Sequence, residues 1–342
     1  VKVLIVKLSA LGDVVQSLPV AMAIRRQQPE AQIDWLVERP SAGLLKDHPA
    51  LNRVLVSPRH EIAEADGLPL NPLSRFGREL RAVRYDAVVD LQGLMKSAIC
   101  VALSRAERKI GWRGGKESIA AWAYNQRLAP FDPDRHALER YLDMLQPLGL
   151  ERPAQVEFGL TPSPEELARA SSLLASLEGE GPLVVLHPVA KWDSKLWPLA
   201  NWVELAQLLG GRGFRLAVTG SNEDRDVGQF IALRAGLEGR LIDLTGRTGL
   251  KELAALITLA SAVVSTDTGV MHLAAAVGAP VTALFGPTAP WRTGPFGAGH
   301  RILFAGVDCS PCFERFCAEP RCMEQITPGK AAEAAASLVG QG

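Results

Sequence analysis

Carboxylates, lysines and thiols stand at several points of this sequence where neighbouring residues would let them do chemistry. The first is Lys7-Leu8-Ser9-Ala10-Leu11-Gly12-Asp13, directly after the β-branched run Lys2-Val3-Leu4-Ile5-Val6. Gly12 permits a tight turn, and Asp13 falls at the start of the next helical pattern, where a carboxylate could take a proton from an alcohol. A helix cap that satisfies orphan amides is the simpler reading of the same residue. The second is Ser265-Thr266-Asp267-Thr268-Gly269-Val270-Met271-His272, in which an apolar strand meets Asp-Thr-Gly and then a helix of small residues. Unpaired N–H groups at such a helix start attract a diphosphate, and Thr268 adds a hydroxyl donor. Against this stands an ordinary cap by Asp267, with His272 in the helix core.

Lys191-Trp192-Asp193-Ser194-Lys195-Leu196-Trp197-Pro198 supplies ammonium groups able to neutralise a leaving diphosphate, although Lys191 reads as a solvated lysine beside a packed tryptophan. In Gly220-Ser221-Asn222-Glu223-Asp224 an acidic side chain could accept bonds from ribose hydroxyls, but acids are common at helix starts. Gly286-Pro287-Thr288 makes a further loop of the same kind. Cys309, Cys312, Cys317 and Cys322 have the spacing C-x2-C-x4-C-x4-C, which can surround a tetrahedral ion. Four thiolates suit structural zinc or iron, with two disulfides or free thiols as the alternatives. The cluster's position suggests a staple for the loop leading to the last helix. Cys100, alone in an apolar helix, reads as core.

The elements that must hold these residues alternate. Runs at 2–6, 33–37 and 86–90 read as strands, and stretches at about 14–26 and 96–103 read as helices, which predicts a parallel sheet covered on both faces. Pro153, Pro162, Pro164 and Pro182, flanking a polar helical segment from Glu165 to Leu177, place a linker near 155–182. Runs at 183–188, 214–220, 262–266 and 281–287 then give a second α/β domain. The expected division is 1–165, 180–325 and a C-terminal helix over 326–342 that packs back on the first domain. Pro58, Pro69, Pro72 and several arginines make 57–80 read as a mobile loop. In open parallel sheets ligands bind beyond the carboxyl ends of strands, which is where the candidate residues fall.

Composition narrows the function. The chain has 342 residues, 47% hydrophobic, enough apolar material for two cores. Its 37 lysines and arginines balance 37 aspartates and glutamates, so no overall field gathers nucleic acid. No apolar run reaches the roughly 20 residues of a membrane span, and the first residues do not resemble a signal peptide. The expected location is cytoplasmic, a reducing compartment in which crowded cysteines can stay as thiols. No strand-end loop carries Gly-x-Gly-x-x-Gly, Gly-x-x-x-x-Gly-Lys-Ser/Thr or Gly-x-Ser-x-Gly, which disfavours a dinucleotide dehydrogenase, a phosphate-loop NTPase and an α/β-hydrolase.

Together the loops resemble those of the bacterial lipopolysaccharide heptosyltransferases, glycosyltransferase family 9, most closely the type I members. The matching segments run from Val3 to Val14, Ile33 to Glu38, Asp90-Leu91-Gln92-Gly93-Leu94-Met95-Lys96-Ser97-Ala98, Lys195 to Pro198, Asp267 to His272 and Gly286 to Thr288. The resemblance implies a GT-B fold, two Rossmann-like domains facing across a cleft, with the acceptor on the first and the nucleotide sugar on the second. It implies an inverting enzyme that moves heptose from ADP-L-glycero-D-manno-heptose to the Kdo/inner-core region of lipopolysaccharide, with Kdo-lipid A as acceptor. Asp13 would be the base and Lys195 the counter-charge for departing ADP, with no metal required. Asp267, Thr268, Gly269 and His272 would hold the donor, and either Glu223 or Asp224 its ribose. Gly12, Lys116 and Arg113 would contact the acceptor, with Arg59 a weaker candidate. A membrane-embedded acceptor implies peripheral attachment to the inner face of the inner membrane. The cysteine cluster departs from the best-known type I sequences. Alternatives are a type II or other family 9 transferase and, from another class, a non-catalytic nucleotide-sugar or metal-binding module.

Overall fold

The computed structural model describes residues 1–63, 70–114 and 117–339. The chain divides into two compact units at Gly159 and Leu160. The first contains β1 (Lys2–Val6), α1 (Leu11–Gln27), β2 (Gln32–Glu38), α2 (Arg39–Leu45), β3 (Arg53–Ser57), α3 (Arg59–Ala63), α4 (Leu70–Arg81), β4 (Arg84–Asp90), α5 (Met95–Leu103), β5 (Arg105–Trp112), β6 (Gln126–Leu128) and α6 (Ala137–Leu142). Its described strands form one parallel sheet ordered β3-β2-β1-β4-β5-β6. Val3 to Val6 are buried on both faces of this sheet, so after Lys2 the central strand is continuously apolar instead of alternating. Helix α1 buries Val14, Val15, Leu18, Val20 and Ile24 and ends with Arg25 and Arg26, whose charge suits the negative end of the helix.

The 57–80 stretch is not a loop in its described parts. It carries α3 and α4, while 64–69 lie outside the described residues. Phe76 and Leu80, four residues apart, are buried, whereas Arg75, Arg78 and Arg81 face solvent. That spacing is the apolar stripe of a surface helix, masked in the sequence by prolines and charge.

The second unit contains α7 (Pro164–Leu173), β7 (Leu183–His187), α8 (Leu199–Gly211), β8 (Arg215–Val218), α9 (Arg225–Ala235), β9 (Leu241–Asp243), α10 (Leu250–Thr258), β10 (Ala262–Thr266), α11 (Gly269–Ala276), β11 (Val281–Phe285), α12 (Pro290–Thr293), β12 (Arg301–Phe304), α13 (Arg321–Glu324) and α14 (Pro328–Leu338). Helix α7 starts with a reciprocal cap: Glu166 N–H donates to Ser163 Oγ at 3.2 Å, and Ser163 N–H donates to Glu166 Oε2 at 2.8 Å. The strands form a parallel sheet ordered β12-β11-β10-β7-β8-β9. Read from the other edge, this is the winding of the first sheet. The order reverses between β1 and β4, and again between β7 and β10; at these switch points the loops part and leave room for a ligand.

The last helix, expected on the first domain, is placed otherwise. Ala331, Ala332, Ala335 and Leu338 of α14 share the second unit's core with Trp202, Leu205 and Leu209 of α8 and with Val264 and Leu284 of the sheet. Its small residues let it lie close to the sheet and α8, which is why the segment reads as bland in sequence.

Candidate active site

In the first unit the switch point is built by two loops that brace each other. Asp90, fully buried at the end of β4, accepts from the amides of Gln92 (2.8 Å) and Gly93 (3.1 Å), from Ser97 Oγ (2.8 Å) and from Tyr124 OH (2.7 Å). Burial pushes its carboxyl above the ordinary value, against the pull of these donors. The loop so fixed presents Gln92, whose Oε1 accepts from the amides of Leu8 and Ser9 at 3.1 Å each. The Asp-Leu-Gln-Gly segment is thus the support for the loop that leads to Asp13. Gly93 has φ +65°, a conformation that favours glycine.

Asp13 is the third residue of α1, not its cap; Ala10 occupies the cap position. The Asp13 carboxylate reaches back only loosely to the Ala10 amide, 3.4 Å from Oδ2. Its stronger partners come from elsewhere. Tyr141 OH on α6 donates to Oδ1 at 2.7 Å, and Lys7 Nζ lies 3.8 Å from the same oxygen. Lys7 is itself buried and donates to Tyr141 OH at 2.8 Å and to the Leu91 carbonyl at 2.9 Å. Gly12 is buried in the first turn of α1 and absent from the positive-φ glycines, so the expected tight turn does not explain it.

Beside this lies a charged cluster that the sequence did not reveal. Lys96 Nζ donates to Ser9 Oγ at 2.6 Å and to Glu38 Oε1 at 2.9 Å, and Arg59 Nη1 reaches the same Glu38 oxygen at 3.2 Å. Burial raises the Glu38 carboxyl, but the bonds and charges of Lys96 and Arg59 outweigh it and leave the group below its ordinary value. Arg113 is exposed just beyond β5, and Lys116 lies outside the described residues.

The second unit's switch point presents a lysine paired with a buried acid. Lys195 ends a short turn, Asp193–Lys195, and its Nζ lies 2.6 Å from Asp267 Oδ2 and 3.3 Å from the Asp267 carbonyl, stacked 4.5 Å over the Trp192 ring. Thr288 Oγ1 donates to the same Asp267 oxygen at 2.6 Å. Asp267 is buried and precedes the cap of α11, which is Thr268, with Gly269 the first helical residue. Asp267 is therefore not a cap but the partner of Lys195, and the partly exposed amides at Thr268 and Gly269 open the helix. His272 is buried in α11. Asp224 accepts from the amide and hydroxyl of Ser221 at 2.7 and 2.6 Å, a local brace, whereas Glu223 is exposed. His187, at the end of β7, bonds Thr219 Oγ1 at 3.0 Å; burial holds its imidazole down to about 4.

Of the three readings of the cysteine cluster, disulfides are not formed and structural zinc or iron gains no support: Cys309, Cys312 and Cys317 are exposed free thiols and Cys322 is buried at the start of α13. Among the described residues no three His, Cys, Asp or Glu side chains gather as metal ligands. The segment has a different connection: Ser194 Oγ donates to the Glu314 carbonyl at 2.6 Å, and Ser194 N–H donates to the Arg315 carbonyl at 3.2 Å. The backbone between Cys312 and Cys317 thus fastens the turn that carries Lys195. Cys100 is buried on α5, and burial pushes its thiol up to about 12, which makes it inert.

Sequence reasoning missed Lys7, Tyr141, Lys96, Glu38 and Thr288 as members of these clusters. Tyr141 is 128 positions from Asp13 and has no motif of its own.

A family model described as glycosyltransferase family 9 (heptosyltransferase) matches residues 73–323. Lipopolysaccharide heptosyltransferase 1 of Pseudomonas aeruginosa is 36% identical over 326 residues, covering 92% of this chain and 87% of that protein. The solved structure of E. coli heptosyltransferase WaaC with ADP is similar at TM-score 0.79 and 28% identity, over 99% of this chain and 100% of that one. WaaC with ADP-2-deoxy-2-fluoro heptose gives TM-score 0.77 at 27% identity, over 97% and 98%.

Proposed function

The chain belongs to glycosyltransferase family 9, and from that membership we propose that it is an inverting transferase carrying heptose from ADP-L-glycero-D-manno-heptose to the Kdo region of the lipopolysaccharide inner core. Asp13 is the base. Its carboxylate takes the proton of an acceptor hydroxyl as that oxygen bonds to the anomeric carbon, and the bond from that carbon to the diphosphate breaks on the opposite face. Lys195 exchanges Asp267 for the diphosphate and balances its charge, helped by the amides at the start of α11. Asp267 and Thr288 keep the ammonium in place until then. Glu223, exposed where Asp224 is committed to Ser221, takes the ribose. His272 shapes the donor side from within α11. Gly12 leaves room for the acceptor, Arg113 and Lys116 meet its anionic groups, and no cofactor enters the reaction.

The observation that carries this reading is the placement of a partly exposed carboxylate, Asp13, at one switch point and a lysine, Lys195, at the other. The experiment is a transfer assay with ADP-heptose offered against Kdo-lipid A and against heptosylated acceptors. A product one heptose heavier than Kdo-lipid A is expected. Transfer only to a heptosylated acceptor would assign the type II reaction instead, and ADP binding without any transfer would favour the non-catalytic module.

Among the described residues no helix is long and apolar enough to cross a membrane. We assign peripheral attachment to the membrane that holds the acceptor. It is supported by exposed Ile99 and Leu103 on α5 and by exposed Ile119 and Trp122 on the adjoining turn, apolar side chains that an interface would accept. Co-sedimentation with phosphatidylglycerol vesicles, lost in Trp122→Ser, tests it.

A further inference from the structure

We infer that Tyr141, backed by Lys7, is the positioning residue of Asp13: it holds one carboxylate oxygen so that the other is turned to the acceptor hydroxyl. This rests on the assignment of Asp13 as base. The three groups form a polar chain that runs outward, from Lys7 (2% exposed) through Tyr141 (8%) to the Asp13 side chain (40%). Lys7 donates to the tyrosine oxygen at 2.8 Å, and the tyrosine donates onward to Oδ1 at 2.7 Å. The Lys7 ammonium is fixed in turn by the Leu91 carbonyl at 2.9 Å.

An aspartate in the first turn of a helix can rotate about two side-chain bonds, and the Ala10 amide at 3.4 Å is too distant to restrain it well. A hydroxyl bond to an ionised carboxylate is strong enough to favour one orientation about tenfold. Burial, followed by the charge and bond of Asp13, raises Tyr141 well above its ordinary value, so the phenol stays protonated and remains a donor. Among the charged and titratable groups that face Asp13 are Lys7, just beyond β1, and Tyr141 from α6; Arg140, also on α6, acts on Tyr141. A purely packing role for Tyr141 would need only its ring, which lies 6.4 Å from the Trp112 ring.

Tyr141→Phe keeps that ring and removes the hydroxyl alone. The expected result is about a tenfold fall in kcat with an unchanged KM for ADP-heptose. The acid limb of kcat/KM for the acceptor should move up by about half to one pH unit, because a carboxylate that loses a donor becomes harder to ionise. In the Asp13→Asn background, Tyr141→Phe should add nothing, since the two act as a unit. If Asp13→Asn keeps its turnover, the base assignment fails. If Asp13→Asn is inactive while Tyr141→Phe retains the parent kcat and acid limb, only the positioning role fails. Should Tyr141→Phe lower the Tm, Lys7→Gln decides: it can still donate to Tyr141 without the charge, and an acid limb that does not rise overturns the inference.

Discussion

The two units share one winding order but furnish their switch points in opposite ways. In the first, an acidic group is left partly exposed and is restrained from behind by buried donors. In the second, a lysine is kept ready by a buried acid and a threonine hydroxyl. The fold therefore supplies a location and not a chemistry. What each location does is decided by one residue in the loop and by partners brought from distant parts of the same unit.

Removing the two central residues tests this contrast most severely. Asp13→Ala is expected to lower kcat about 10³-fold while isothermal titration still finds the parent affinity for ADP, because the proposed base enters only the chemical step. A variant that lost ADP binding in proportion would erase the distinction between the halves. Lys195→Ala is expected to cost about 10²-fold in kcat and to weaken ADP as well. It also leaves buried Asp267 without its cation, so the Tm should fall, whereas Asp13→Ala, at a partly exposed side chain, should leave it nearly unchanged.

Acid should separate the units without any substitution. His187 in the second unit is held down to about 4 by burial, while the unfolded chain protonates it near 6.5. Stability from this group is complete above about pH 6.5 and falls by roughly 3 kcal/mol as the pH drops toward 4. Glu38 in the first unit lies below its ordinary carboxylate value, so its contribution persists to more acidic pH and is lost only as the pH falls through that lowered value. Hydrogen exchange at pH 5 is expected to show weaker protection along β7 and β10 than at pH 7, with β1 and β4 little altered; the reverse order would contradict it. The smallest effect is expected from Ser194→Ala. Losing its bond to the Glu314 carbonyl removes about 1 kcal/mol, which should appear as a rise of up to about fivefold in the KM for ADP-heptose and none in the KM for the acceptor.

What the sequence displayed was whatever depends on neighbours along the chain. The buried strands β1, β7, β10 and β11 are mostly apolar and stand out, as do the loops that follow them. Strand β5 was invisible because Arg105, Glu107, Arg108 and Lys109 precede its buried end, and a strand near the sheet's edge tolerates such charge. Asp13 and Lys195 were singled out as candidates by their loops and by the family resemblance. Tyr141 and Lys96 could not, since their value lies in a 2.7 Å and a 2.6 Å contact with residues 128 and 87 positions away. The cysteines taught a different lesson: regular spacing suggested a ligand set, whereas the contact seen is made by the backbone between them, whose Glu314 carbonyl accepts from Ser194 Oγ.

The burial of α14 beneath the second sheet has a bearing on biosynthesis. Strand β12 ends at Phe304, yet the apolar face it shares stays open until Leu338 has been translated and has left the ribosome. The first unit has by then long been free to close. For that interval the nascent second unit exposes Trp202 and its neighbours, which makes it the half most in need of a chaperone and most prone to clump when expression is forced.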